Sequence, residues 1–302
     1  MRRKPASRPL PAPNTRRLRL PLPAAFSFDA IVRSHGWYDL PPFSYDAGRG
    51  ELRTVGPGAI PWTFRVRDGR LEVSGQWRGR SEAARAARRI FSLDLDLSAF
   101  DAGLGSEPAL RRALRRGGGR MLRAPTIFED AVKMLLTTNC SWSATRGMVE
   151  RLVGLCGDGA AAFPSAEQVA RLSPATIRRR VRCGYRAQAL SRFARRVASG
   201  RLDLDLWERR ETPAGEVREA ILAEYGFGPY AAEGLLRILG RHEYLALDSW
   251  VRKQYRRLYP GPAKSADGSI ARRYARFGEY RGLALWLDLT QGWHEGKEAV
   301  WP

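Results

Sequence analysis

The stretch Val217-Arg218-Glu219-Ala220-Ile221-Leu222-Ala223-Glu224-Tyr225-Gly226-Phe227-Gly228-Pro229-Tyr230-Ala231-Ala232-Glu233-Gly234-Leu235-Leu236 reads as two helices joined by a tight turn. Val217, Ala220 and Ile221 recur at helical spacing, and Thr212-Pro213 upstream supplies a capping residue followed by proline at the first helical position. Gly226 and Gly228 permit positive φ in the turn, and Pro229 restarts the helix with bare N–H groups at its N-terminus. Those amides and the helix dipole make an anion site that suits a phosphate without any side chain. A helix that merely stops and restarts gives the same pattern.

The next segment adds a carboxylate. Leu245-Ala246-Leu247-Asp248-Ser249-Trp250-Val251-Arg252-Lys253 is an apolar approach to one aspartate that opens a basic helix, twenty positions beyond Gly228. Asp is a favoured N-cap, so Asp248 has a structural reading as well as a chemical one.

Helical periodicity extends well beyond this pair. Phe128, Ala131, Val132 and Leu135 form one apolar stripe; Thr145, Met148, Val149, Leu152, Val153 and Cys156 form another; Ser173-Pro174 marks a further helix start. Before residue 80 the period is two. Thr63 to Arg67, then Asp68-Gly69, then Arg70 to Val73 describe a β-hairpin. The fold class expected is α+β, mainly α: a small N-terminal antiparallel sheet domain over 26–118, then an all-helical domain over 119–302. Residues 1–25 hold seven Lys or Arg, including Arg2, Arg3, Lys4 and Arg8, with repeated prolines and no acidic residue, and read as a disordered basic arm.

Composition narrows the partners. The chain has 302 residues and 44% hydrophobic content, enough for a real core, and 52 Lys+Arg against 31 Asp+Glu give a formal charge of +21. That excess points to a polyanion, with nucleic acid the default reading, although an arginine-rich proteome also inflates it. The three cysteines, Cys140, Cys156 and Cys183, form no disulfide framework. With no apolar run long enough for a membrane span and no signal-peptide core before Phe26, a cytoplasmic, nucleoid-associated location is expected, and no membrane partner.

The hairpin and Asp248 together resemble the helix-hairpin-helix (HhH-GPD) DNA glycosylase superfamily of alkyladenine, 8-oxoguanine and mismatch-adenine glycosylases, over roughly residues 120 to 295. The resemblance implies that Gly226, Gly228 and the amides around Pro229 bind DNA phosphate, and that the hairpin carbonyls hold a monovalent cation. It implies that Asp248 is the catalytic aspartate. Two further blocks are similar to the 8-oxoguanine branch. In Thr137-Thr138-Asn139-Cys140-Ser141-Trp142, Asn139 would enter the gap left by an extruded nucleotide; in Gly184-Tyr185-Arg186-Ala187, Tyr185 would wedge beside the orphaned base and Arg186 would hydrogen-bond it. Plain capping readings exist for both blocks.

The sequence also departs from the family. Bifunctional members carry a lysine two residues after the second hairpin glycine, where Tyr230 stands here, so Tyr230 and Trp142 are expected to line a base pocket and no Schiff base to form. Leu285 occupies the position at which the 8-oxoguanine enzymes read the oxidised base with glutamine, and it is expected in the same pocket. Three scattered cysteines cannot hold the iron–sulfur cluster of some relatives, so no cofactor and no other metal is expected. Arg252 and Lys253 are expected to grip flanking phosphates.

The resemblance thus implies a monomeric, monofunctional glycosylase that flips a damaged base from double-stranded DNA, with an alkylated purine such as 3-methyladenine as the substrate and base excision repair as the setting. An oxidised-purine glycosylase and a noncatalytic helix-hairpin-helix DNA-binding protein are the alternatives.

Overall fold

The computed structural model describes residues 15–56, 59–156, 162–261 and 266–294. Five antiparallel strands, β1 (Arg16–Pro21), β2 (Ser44–Asp46), β3 (Glu51–Gly56), β4 (Ile60–Arg67) and β5 (Arg70–Gly75), form one sheet in the order β1-β5-β4-β3-β2. Asp68 and Gly69 both take positive φ, +49° and +66°, the two-residue turn that matches strand twist. Alternation then places Phe64 and Val73 directly opposite each other on the buried face. The α+β architecture follows the sequence reading.

The basic arm does not run to residue 25. Leu18 and Leu20 alternate with Arg17 and Arg19, bury against the sheet, and make β1 an edge strand paired with β5. Arg19 donates to Glu72 at 3.2 Å, which gives its charge a partner on the neighbouring strand. Two buried leucines outweigh the charge and proline content that suggested disorder, each worth roughly 2 kcal/mol. Arg2, Arg3, Lys4 and Arg8 lie outside the described residues, as does the side chain of Cys156.

Eight helices carry the argument below: α1 (Arg80–Ile90), α2 (Ile127–Thr137), α3 (Trp142–Cys156), α4 (Arg186–Ala198), α5 (Ala214–Leu222), α6 (Pro229–Ile238), α7 (Ser249–Leu258) and α8 (Arg281–Leu289). The α5 helix begins one residue later than its proline suggests, with Pro213 at the cap. One hydrophobic core runs from the sheet into the helices. Phe64 meets Phe91 at 5.3 Å, and Phe128 stacks on Phe193 at 5.7 Å. A second core joins α7 and α8 to residues 97–121.

Buried polar contacts tie the segment between β1 and β2 to the helices. Trp37 Nε1 donates to Asp130 at 2.7 Å, and Asp130 also pairs with Arg89 of α1 at 2.9 Å. His35 Nε2 lies 2.7 Å from the carbonyl of Leu122, and Trp286 of α8 donates to the carbonyl of Ser34 at 3.0 Å. Residues 34–37 are thereby fixed against α2 and α8, where they become one wall of a cavity.

Candidate active site

The hairpin between α5 and α6 is held from below. Phe227 packs on Phe193 of α4 at 5.2 Å, and Gly226 takes φ +94° with Ala189 so close that a Cβ on Gly226 would collide with it. Gly228, the N-cap of α6, has open space around it and extended φ. The two glycines therefore differ: Gly226 seats the turn on α4, and Gly228 leaves the amides at the start of α6 accessible.

Beyond the hairpin, α6 presents Tyr230, Gly234, Arg237 and Ile238 to a cavity of about 370 Å³, within the range of small-molecule pockets. Their spacing, i, i+4, i+7 and i+8, is one face of a helix. Four tryptophans line the same space: Trp37, Trp142, Trp250 and Trp286. Three of them have fixed indole N–H groups, since Trp142 donates to Asp39 at 2.8 Å, and Trp37 and Trp286 bond as described. The walls are thus rigid aromatic planes, and a flat heteroaromatic guest suits them.

Asp248 stands on this wall and caps α7, its Oδ1 accepting the Val251 amide at 2.7 Å. The cap and the site role coexist: the hydrogen bond fixes the carboxylate's direction without removing it from the cavity. Tyr230 is half-buried on the cavity wall. Burial holds that phenol above its ordinary pKa, and the charge of Asp248 adds to the effect, so Tyr230 enters the site as a neutral ring. Arg237 is buried, lies 4.1 Å from the Trp286 ring centroid, and has no hydrogen-bond partner on Nη1. Burial pulls its guanidinium down to about 10, which leaves it charged at neutral pH. Among the described residues, the pocket wall contains no lysine.

The remaining expected residues are divided. Asn139 adopts φ +45° in the loop between α2 and α3 and donates from Nδ2 to the Tyr185 hydroxyl at 3.3 Å; both are exposed. They form a projecting pair. Arg186 does not join them at the surface: it is buried, donates to the Thr138 side chain at 3.1 Å and to the Thr138 carbonyl, and stacks under Tyr185 at 4.6 Å. That guanidinium is spent on the 138 loop and so positions Asn139.

Arg252 is tied to Asp267 at 2.7 and 3.0 Å, while Lys253 is exposed on α7. Leu285 is not in the cavity wall. It is fully buried in the second core, and the neighbouring Trp286 faces the pocket instead, because one residue along a helix rotates the side chain by about 100°. Trp37, Trp250, Trp286, His35 and Arg237 were not found from the sequence. For Arg237 a signal existed, since it lies seven residues after Tyr230 on the same face; His35 and Trp37 reach the pocket from a distant segment and left none.

A glycine-bearing hairpin, a capped aspartate in an aromatic cavity and an exposed Asn–Tyr pair all lie in the helical domain. Residues 132–278 match the HhH-GPD superfamily of base excision DNA repair proteins, and this helical part of the chain belongs to that superfamily. The chain is similar to a probable bifunctional transcriptional activator/DNA repair enzyme AlkA of Mycobacterium tuberculosis, 27% identical over 310 residues, covering 88% of this chain and 60% of the relative. The chain thus spans about three fifths of the length of the curated relatives it matches.

Among solved structures, the 3-methyladenine DNA-glycosylase from Archaeoglobus fulgidus superposes with a TM-score of 0.70 at 22% identity, covering 91% of this chain and 98% of that one. An 8-oxoguanine glycosylase/lyase of Clostridium acetobutylicum gives 0.65 at 17%, covering 85% and 93%. These likenesses establish the fold.

Proposed function

We propose that the protein is a monomeric, monofunctional DNA glycosylase that flips a damaged base, an alkylated purine, out of duplex DNA and hydrolyses its N-glycosidic bond. One observation carries this reading: the Asp248 carboxylate stands on the wall of an aromatic cavity reached by the helix that follows the phosphate-binding hairpin. A DNA-binding module without catalysis has no use for that carboxylate or for a cavity beside it.

Flipping costs roughly a few kcal/mol, less for a damaged base, and the exposed Asn139–Tyr185 pair is suited to fill the vacated stack. The open amides at Gly228 hold a backbone phosphate, and exposed Lys253 on α7 supplies a further cation. The turn also offers neutral carbonyl oxygens, those of Ile221 and Glu224 each retaining a second lone pair beyond its turn hydrogen bond. That donor set fits a monovalent cation, which would strengthen the local positive field.

Cleavage of the glycosidic bond develops positive charge on the sugar, and anionic Asp248 stabilises that charge more in the transition state than in the ground state. Water then attacks. Tyr230 supplies no amine, so the deoxyribose forms no Schiff base with the protein. The oxidised-purine alternative loses one support, the base-contacting Arg186, because that residue is buried.

The test is a panel of duplexes, each with one defined lesion, assayed for free base and strand breaks. Free base should appear with abasic sites that break only after alkali, and borohydride should trap no covalent complex, whereas Tyr230→Lys should gain trapping. No release from any duplex overturns the glycosylase reading, and robust trapping by the unaltered protein overturns monofunctionality.

A further inference from the structure

Arg237 is a buried cation whose Nη1 has no hydrogen-bond partner and which stands on the wall of the Asp248 cavity. Leaving a charged donor unmet inside a protein costs about 1–3 kcal/mol or more, so such a group in a cavity marks a missing partner. Among the other buried guanidiniums, Arg89 is spent on Asp130 and Glu208 and Arg186 on the Thr138 loop, while Arg120, outside the cavity wall, donates to the Leu95 carbonyl and leaves only its Nε unmet. Arg237 instead lies 4.1 Å from the Trp286 ring centroid, a stack that fixes its plane and leaves its edge free.

Local geometry makes room for a guest. Tyr230 and Arg237 lie on one face of α6 about 10 Å apart along the axis, and at Gly234 between them the missing side chain lets Met134, which also lines the cavity, pack close against the helix. A flat base can rest in the cavity against Met134, with Tyr230 toward the hairpin and Arg237 at its far edge.

We infer that Arg237 is the residue that reads the flipped base: its free Nη1 donates a hydrogen bond to a ring nitrogen or carbonyl oxygen, and the pocket favours neutral bases over cationic ones. A guanidinium has donors only, so its partner must be an acceptor, and its charge repels a purine made cationic by methylation at N3 or N7. The inference rests on the glycosylase reading and narrows the alkylated purine to neutral adducts, of which 1,N6-ethenoadenine is a suitable probe. It also moves away from 3-methyladenine, whose nucleoside is cationic.

The experiment measures single-turnover release from duplexes containing 1,N6-ethenoadenine or 7-methylguanine, in the unaltered protein and in Arg237→Met, Arg237→Gln and Arg237→Lys, with thermal unfolding alongside. Arg237→Met should lower the ratio of neutral to cationic release at least about tenfold, and Arg237→Lys should recover part of it. Arg237→Gln, a neutral donor, gives the ratio independently if Arg237→Met does not fold, and it should fall between the other two. A ratio that moves less than about threefold in every folded variant, both rates changing together, means a structural role and overturns the inference. No release of either base by the unaltered protein sinks the glycosylase reading itself, and the inference with it.

Discussion

Lys133 and Arg237 are both buried cations on helices that border the cavity, and the structure treats them in opposite ways. Lys133 is fully buried on α2, 2.6 Å from Glu129 one turn earlier and 4.9 Å from the Phe43 ring, with every strong contact internal. Arg237 has no hydrogen-bond acceptor on Nη1 and faces the cavity. The contrast teaches where the molecule uses charge to hold itself together and where it keeps charge for a guest. Asp130 and Asp248 divide in the same way. Asp130 is saturated by Trp37, the Ala124 amide and Arg89, whereas Asp248 accepts one backbone amide and remains on the pocket wall.

The largest expected effect is on chemistry without stability. Asp248→Asn keeps a good helix cap, so thermal unfolding should hardly shift, while single-turnover base release should fall a thousandfold or more, about 4 kcal/mol of transition-state stabilisation. A variant that unfolds early and keeps its activity per folded molecule would put Asp248 on the structural side of the comparison.

Lys133→Met should do the reverse. It strands Glu129 as an unpaired buried carboxyl, whose titration burial already pushes up to about 7, and should cost about 3 kcal/mol of stability by denaturant titration. Base release per folded molecule should persist. Loss of activity at full stability would mean that Lys133 takes part in the chemistry.

Two buried histidines set an acid limit. Burial is the main reason that His35 and His242 are each held down to about 3, so the folded state binds them neutral. Their contribution is fully present above the unfolded value near 6.5 and is lost as pH falls from there toward 3, about 2 kcal/mol for each histidine by pH 5. Stability should therefore drop on acidification from pH 7 to 5, and His35→Gln should flatten the slope. A stability flat across that range would show that both rings accept a proton in place.

The smallest effect belongs to the surface. Tyr185→Ala removes an exposed ring and its bond from Asn139, and should weaken lesion-DNA binding by roughly fivefold, about 1 kcal/mol, with unfolding unchanged. Equal binding by gel shift would remove Tyr185 from the DNA-facing set.

The sequence by itself determined the local elements: the Asp68-Gly69 hairpin, the apolar stripes of α2 and α3, the Gly226–Pro229 turn, and Asp248 at the head of a basic helix. Each rests on neighbours within a few residues, where backbone preference and periodicity act directly. It misjudged Arg16–Pro21, where charge and proline hid a two-residue alternation, and it misjudged Leu285, where one step along a helix decides between core and cavity. Only the tertiary structure decided the pocket. His35, Trp37, Arg237, Asp248 and Trp286 come from segments far apart in the chain, and no local pattern encodes which of them meet. The physical reason is that burial and unmet hydrogen-bonding capacity belong to the packed arrangement: an arginine on a helix is ordinary until the fold removes its water and leaves it without an acceptor.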